Sequence, residues 1–303
     1  MSDELFSVAG QIVLVTGGSR GIGKAIAGGF VSRGATVVIC SRNLESVDAT
    51  VRELSRDGGS ISGLACDVAN SEDVTSTVQK TLQQHGRIDT LLNVAGVNRR
   101  KRAEQVTADD YRFIMDTNLK GAFEMCQEVG RHMIERKSGV QINVESLNTY
   151  MPLKGVLPYA ISKFGMLGMT RGLALEWGQH GIRVNSLAPG FILTDLTEKL
   201  WSDPTMQDWN RAQCSAGTSG SSRRHGRYCH LSGFKGVGVH DRSDAVRRRR
   251  IQQRLELADS AGLTVQSPAP DTRPPDACPT GPLAVAVPNS TVTDLTNRHA
   301  RSR

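Results

Sequence analysis

At 303 residues with a formal net charge of +7, the chain is long enough for one large α/β domain or two small ones, and basic enough to raise an acidic partner such as nucleic acid. That charge lies beyond residue 213, where 13 Arg and one Lys stand against seven acidic residues, so the first 213 residues are neutral and a nucleic-acid reading would fall on the tail, which lacks the aromatic partners such binding uses and otherwise reads as a solvated extension. No apolar run approaches the roughly 20 residues that cross a bilayer; the N-terminus has no signal-peptide pattern, and six cysteines without a CxxC pair point to a reducing cytoplasm.

The first regular segment, QIVLVTGG from Gln11, is a short β-branched run ending in glycine, and GIGKAIAGGFVSRGA continues it with helical spacing through Ile22, Ile26 and Phe30. TVVICSR follows as a second buried strand. ISGLACDVAN, IDTLLNVAG, GVQINVES and IRVNSLAPG supply further strands, with helical stretches at about 71–85, 107–136 and 157–180 between them. Near-continuous apolar strands alternating with helices predict an α/β fold, a doubly wound parallel sheet of the Rossmann type. Ligands in such sheets sit beyond the carboxyl ends of the strands.

At the first such end stands TGGSRGIG, Thr16 to Gly23. Gly17, Gly21 and Gly23 permit a tight turn and close backbone approach to a pyrophosphate, and the helix that follows offers N–H donors and partial positive charge. At the second strand's end Ser41 and Arg42 occupy the place where a carboxylate would select a ribose 2′-hydroxyl. With Arg20 in the glycine loop, they favour NADP(H), NAD(H) being the alternative. After the fourth strand, Arg99, Arg100, Lys101 and Arg102 offer cations to a carboxylate substrate, or else form a solvated loop.

In PYAISK, Tyr159 and Lys163 lie four apart on one helix face. An ammonium beside a phenol stabilises the phenolate, so the tyrosine pKa is expected to fall from its ordinary value of about 10. Ser146, ending QINVES, precedes Tyr159 by 13 residues, and Asn118 sits within a predicted helix in MDTNLKG. The glycine loop, the Asn118 helix, the serine followed by YxxxK, and APGFILT (Ala188 to Thr194), in this order and spacing, resemble the short-chain dehydrogenase/reductase family over about residues 8–213. NVAG departs from the family's usual NNAG at Val94, which is expected to affect stability more than chemistry.

The resemblance implies an oxidoreductase with a tetrad of Asn118, Ser146, Tyr159 and Lys163. Tyr159 would exchange a proton with the substrate oxygen, Ser146 would hold that oxygen, Lys163 would bind the nicotinamide ribose, and Asn118 would hold a relay water. It further implies that Gly17, Ser19, Arg20, Gly21, Ile22, Gly23, Ser41, Arg42, Asp67, Val68, Asn93, Ala95, Gly96, Pro189, Gly190 and Thr194, together with Tyr159 and Lys163, contact the cofactor. The wider sequence looks most like gluconate 5-dehydrogenases and related sugar-acid enzymes, with 3-oxoacyl-carrier-protein reductases the alternative. The expected partner is a small hydroxy or keto substrate, with no membrane and no nucleic acid.

A family member continues past residue 214 with Leu-Gly-Arg, a helix, a last strand and a Val-Asp-Gly-Gly turn. Here residues 214–303 are rich in Ser, Gly, Arg and Pro, with Tyr228 and Phe234 their only aromatics, and read as an irregular tail beyond a single domain at 1–213. His225, Cys229 and His230 match no common zinc spacing, so no metal is expected. Read in the neighbouring frame with permitted codons, Gly233 to Ile251 yields a terminus ending Phe-Val-Asp-Gly-Gly-Tyr, which points to a frameshift near Cys214 or Ser215. The expected domain then lacks its last helix and strand, which leaves the homotetramer usual in the family in doubt. A nucleotide-binding pseudoenzyme is the alternative of another class.

Overall fold

The computed structural model describes residues 7–190, 192–193, 202, 204, 208 and 220–221. Thr194 and, apart from 220–221, the tail expected to be irregular or frameshifted lie outside the described residues. Each of the six expected strands forms: β1 (Ile12–Thr16), β2 (Thr36–Ser41), β3 (Ile61–Ala65), β4 (Thr90–Asn93), β5 (Gly139–Val144) and β6 (Ile182–Leu187). All pair in parallel, in the order β3-β2-β1-β4-β5-β6. Chain direction across the sheet therefore reverses between β1 and β4, which opens a crevice at their carboxyl ends. A separate short pair joins β7 (Ile192–Leu193) to β8 (Gly220–Ser221). Among the described residues, β3 and β6 are the outer strands of the main sheet.

Helices cover both faces because every residue of β1, β4 and β5 is buried. Val13, Val15, Val37 and Ile39 point to one side and pack with Ile26 and Phe30 of α1 (Gly21–Val31) and Val47 of α2 (Leu44–Leu54). Leu14, Val38 and Leu91 point to the other. They meet Val74 and Val78 of α3 (Ser71–His85), Met125, Val129 and Met133 of α5 (Gly121–Arg136), and Leu173 of α6 (Leu157–Trp177).

Local signals fix the helix ends. Asn70 accepts from the N–H groups of Glu72 and Asp73 at the start of α3, and Gly86 ends it in the left-handed conformation at φ 75°. Asn43 caps α2, a helix that the sequence reading did not single out, by accepting from Ser46 N–H at 2.8 Å. The expected helix at 107–136 is interrupted. It comprises α4 (Ala108–Met115), a π-helical turn over Asp116–Lys120 and α5. Gly121 follows the π turn because α5 runs against the loop after β3: a Cβ there would stand 2.3 Å from the Val68 carbonyl oxygen.

Asp89, just before β4, ties the amino-terminal edge of the sheet together. Its carboxylate accepts from Ile12 N–H at 2.8 Å, from Arg87 and from Arg136. Burial alone would raise its pKa, but these donors outweigh burial and hold it below the ordinary 3.8. Its contribution is therefore present above pH 3.8 and lost as pH falls through the lower folded value. Asp89→Ala is expected to lower the unfolding free energy by about 2 kcal/mol at pH 7 in urea titrations. The difference from wild type should shrink towards pH 2.

Candidate active site at the carboxyl edge of the sheet

A cavity of about 800 Å³ lies across the carboxyl ends of β2, β1, β4 and β5, within the range that holds a cofactor with its substrate. Its floor begins at the loop joining β1 to α1. Gly17, at φ 66°, lies so close to the segment after β4 that a Cβ would stand 2.8 Å from the Ala95 backbone. A Cβ on Gly23 would stand 2.2 Å from the Gly17 carbonyl oxygen. The loop is thus a backbone cradle with no room for a side chain at Gly17 or Gly23, opening onto the first turn of α1 and its N–H groups. Thr16 fastens it: its hydroxyl donates to the Leu92 carbonyl and accepts from Val94 N–H at 3.1 Å and Ala95 N–H at 3.3 Å. Thr50 of α2 donates to the Ser19 carbonyl at 2.8 Å.

Gly17, Ser19, Arg20, Gly21, Ile22 and Gly23 line this end of the cavity, as do Ser41 and Arg42 after β2, Asp67 and Val68 after β3, and Ala95 and Gly96 after β4. Pro189 and Gly190 close the far wall. Among the described residues, the carboxylates on the wall are Asp67 and Glu145, and neither stands at the end of β2.

Asn93 does not reach the cavity. It is buried, its amide donating to Asn143 Oδ1 at 2.9 Å and towards the Ala122 carbonyl, so it joins β4 to β5 and α5 instead of lining a ligand. Val94, in the position where the family usually has the second Asn, packs against the core on one face of the sheet and also lines the cavity.

Ser146, Tyr159 and Lys163 converge at the other end. Ser146 follows β5, and its hydroxyl oxygen accepts from both the backbone N–H and the side-chain amide of Asn148, at 3.1 and 3.2 Å. With those acceptor positions filled, its O–H is left to donate, and the influence of Ser146 on the Tyr159 phenol is to lower its pKa. Lys163 Nζ donates to the Val144 carbonyl at 2.6 Å and stands 5.7 Å from the centre of the Tyr159 ring.

The expected acidification of Tyr159 by Lys163 is not found. Burial raises the phenol above its ordinary 10, and the opposing influence is the Ser146 hydrogen bond. The lysine is 3% exposed and is itself pushed down to about 8 by burial, against which the Glu145 carboxylate acts. Desolvation is the larger effect at both groups.

Asn118 also differs from expectation. Its carboxamide lies in the π turn, fully buried, accepting from Val97 N–H at 2.7 Å and donating to the Val97 carbonyl and Ser162 Oγ. It braces α6 and the segment after β4, and does not line the cavity with its side chain. The basic run divides likewise. Arg99 and Lys101 bind the Asp110 carboxylate at 3.1 and 2.5 Å, holding it far below the usual carboxylate range, while Arg99 also stacks on Phe113. Arg100 alone of the four lines the cavity. Glu145 and Asn148 were missed by the sequence reading, although an acidic residue closing an apolar strand beside Ser146 was a visible signal for the first.

Among the described residues no cluster of His, Cys, Asp and Glu could hold a metal ion, and no helix is long and apolar enough to cross a membrane.

The short chain dehydrogenase family model matches residues 11–205. Gluconate 5-dehydrogenase from Gluconobacter oxydans is 37% identical over 217 residues, 72% of this chain and 85% of that protein. A 3-oxoacyl-acyl-carrier-protein reductase from Chlamydia pneumoniae is 40% identical over 203 residues, 67% and 82% respectively. Among solved structures, a gluconate 5-dehydrogenase from Burkholderia cenocepacia in complex with NADP and tartrate superposes with a TM-score of 0.74 at 32% identity, covering 76% of this chain and 91% of that one.

Because folding depresses Lys163 from 10.5 to about 8, its contribution to stability rises with pH between those values. The gain at full titration is about 3 kcal/mol. Lys163→Met is expected to abolish that rise, which urea unfolding of both proteins at pH 7.5 and pH 10 will measure.

Proposed function

The chain belongs to the short-chain dehydrogenase family of oxidoreductases, and from that premise we propose that it transfers hydride between NADP(H) and the secondary alcohol or ketone of a sugar acid, in the manner of a gluconate 5-dehydrogenase. The observation that carries this reading is the junction of the Tyr159 phenol with Ser146 and Lys163 at one end of a cavity whose other end is a glycine cradle. The co-localisation of these groups gives no support to a nucleotide-binding pseudoenzyme.

The backbone clearances at Gly17 and Gly23 suit a pyrophosphate laid along the first turn of α1, and a carboxylate-free end of β2 with Arg20 and Arg42 nearby suits a ribose 2′-phosphate. When bound, the nicotinamide ring supplies or accepts the hydride. The protein handles the proton. Tyr159, kept protonated by burial, gives it to the substrate oxygen in reduction and takes it back in oxidation. Ser146 donates to the same oxygen, its hydrogen aimed by the two Asn148 donors. Lys163, fixed by the Val144 carbonyl, presents its ammonium to the phenol ring and the nicotinamide ribose.

Support for an acidic substrate comes from Arg100, the one cation of the 99–102 run on the cavity wall, since Arg99 and Lys101 are bound to Asp110. The Gluconobacter relative and the Burkholderia neighbour bear gluconate 5-dehydrogenase names, and tartrate in the latter is a hydroxy-dicarboxylate.

NADPH oxidation should be assayed with 5-ketogluconate, an acetoacetyl thioester and an uncharged ketose. The acid is expected to be preferred, and equal turnover of the ketose or thioester would remove the sugar-acid reading. Tyr159→Phe is expected to lower kcat by about 10³-fold, as loss of a general acid does. Arg100→Ala should raise KM for the acid by about tenfold and leave the ketose unchanged, as the loss of one charged hydrogen bond implies. Arg42→Ala should raise KM for NADPH by a similar factor without affecting NADH.

A further inference from the structure

The segment leaving β4 brings two side chains to the cavity, Asn98 and Arg100. Residues 97–101 are clamped at both ends. The Asn118 carboxamide accepts from Val97 N–H at 2.7 Å and donates to the Val97 carbonyl at 2.9 Å, and Lys101 N–H donates to the Gly155 carbonyl at 3.0 Å. Between the clamps the side chains alternate: Arg99 and Lys101 turn to the Asp110 carboxylate, while Asn98 and Arg100 line the cavity. Two residues of alternating backbone span roughly 6–7 Å, which is the reach of a short carbon chain.

Asn98 stands apart from the other carboxamides at this edge of the sheet. Asn118, Asn143 and Asn148 each use both ends on the protein itself. The Asn98 oxygen, by contrast, is buried and meets no donor among the described residues. An acceptor left in that state is destabilising until something answers it, and on a cavity wall a ligand can do so. A half-turn of the carboxamide exchanges its two ends, so the same side chain offers the cavity either an acceptor or a donor. A hydroxyl group is both and satisfies either end. A carboxylate lacks the donor, and a methylene group satisfies neither.

We propose that Asn98 is a specificity-determining residue: it binds a hydroxyl group on the chain of the acid whose carboxylate meets Arg100, and so selects polyhydroxy keto acids over keto acids of the same length without hydroxyls. The proposal rests on the sugar-acid reading above and adds to it the group that reads the hydroxyls. A site built to hydrogen-bond a substrate hydroxyl rejects the analogue that lacks one, because its own polar group is then left unpaired. The clamp on Val97 sharpens this, since it holds both backbone polar groups of the neighbouring residue and keeps Asn98 from withdrawing.

The test compares 5-ketogluconate with 5-oxohexanoate, which has the same carbon chain and carbonyl position but no hydroxyls, in NADPH oxidation by the full chain. Wild type is expected to prefer 5-ketogluconate, and turnover of 5-oxohexanoate as good or better overturns the proposal. Asn98→Leu keeps the side-chain volume and removes both hydrogen-bonding ends. It is expected to lower the ratio of the two kcat/KM values by about tenfold, the effect of one lost hydrogen bond, with KM for NADPH unmoved. A residue that only braced the wall would depress both acids alike, so an unchanged ratio in a folded variant, judged by its thermal melt, overturns the proposal. If Asn98→Leu does not fold, Asn98→Ala makes the same comparison and is read in the same way. Saturation-transfer NMR titrations of the NADP⁺-loaded protein give a readout without turnover: Asn98→Leu should lower the ratio of gluconate to hexanoate affinity by a similar factor. An unmoved ratio, or gluconate that does not bind wild type, again overturns the proposal. A wild-type protein that reduces neither acid refutes the proposed reaction, whereas the gluconate titration still decides whether Asn98 reads a hydroxyl.

Discussion

A single buried ammonium organises the chemical end of this molecule. Lys163 sits on α6 and donates to the carbonyl of Val144, the last residue of β5. That bond fixes how the helix meets the sheet, and the placement of Tyr159 one turn earlier follows from it. A lysine in such surroundings is costly, because its charge must be supported by a carbonyl dipole and a carboxylate instead of water. The surrounding hydrogen bonds read as the means by which the position is held. Asn118 braces Ser162 on the same helix, Asn143 at the end of β5 donates to Thr170 two turns further along α6, and Asn148 orients Ser146. Removing any one leaves a buried polar partner unsatisfied, which couples the stability of the sheet edge to the geometry of the cavity.

The sheet supplies the second constraint. The strand order reverses between β1 and β4, so the loops after these strands diverge and leave a crevice that side chains do not fill. At Gly17 the two loops come close enough for backbone to touch backbone, and the cavity exists on the ligand side because residues on the core side are so tightly placed. Thr16 closes this contact with one hydroxyl that serves three backbone groups.

Most of this architecture was legible in the sequence because it rests on local patterns: buried β-branched runs, glycines at a strand end, and a four-residue spacing on a helix. The misreadings share a physical cause. The spacing of Tyr159 and Lys163 correctly places both on one face, but the sign of the tyrosine's shift depends on how much water the folded chain excludes, which no spacing encodes. Asn93 and Asn118 stand where motifs place them, yet their amides are consumed by backbone and side-chain partners far away in sequence, Asn143 and Val97 among them. The basic run at 99–102 is similar, since only the fold brings Asp110 against Arg99 and Lys101 and leaves Arg100 to the cavity. The π turn that buries Asn118 was invisible because no local spacing announces it, and the close packing of Gly121 against the loop after β3 that follows it involves residues far away in sequence.

Charge is distributed along the cavity in a way that bears on the direction of the proposed reaction. At the cradle end, Arg20 and Arg42 face solvent and gather negative charge without paying for desolvation. At the chemical end, burial decides the protonation of the Tyr159 phenol, and burial likewise acts against the charge of Lys163. A tyrosine that rests protonated is ready to act as an acid towards a ketone oxygen. To act as a base towards an alcohol it must first lose that proton, and the groups placed to help are the Ser146 O–H and the Lys163 ammonium. Ketone reduction therefore begins from the state the fold already favours at neutral pH, whereas alcohol oxidation draws on the full strength of the lysine and is the direction more sensitive to whatever holds its proton in place.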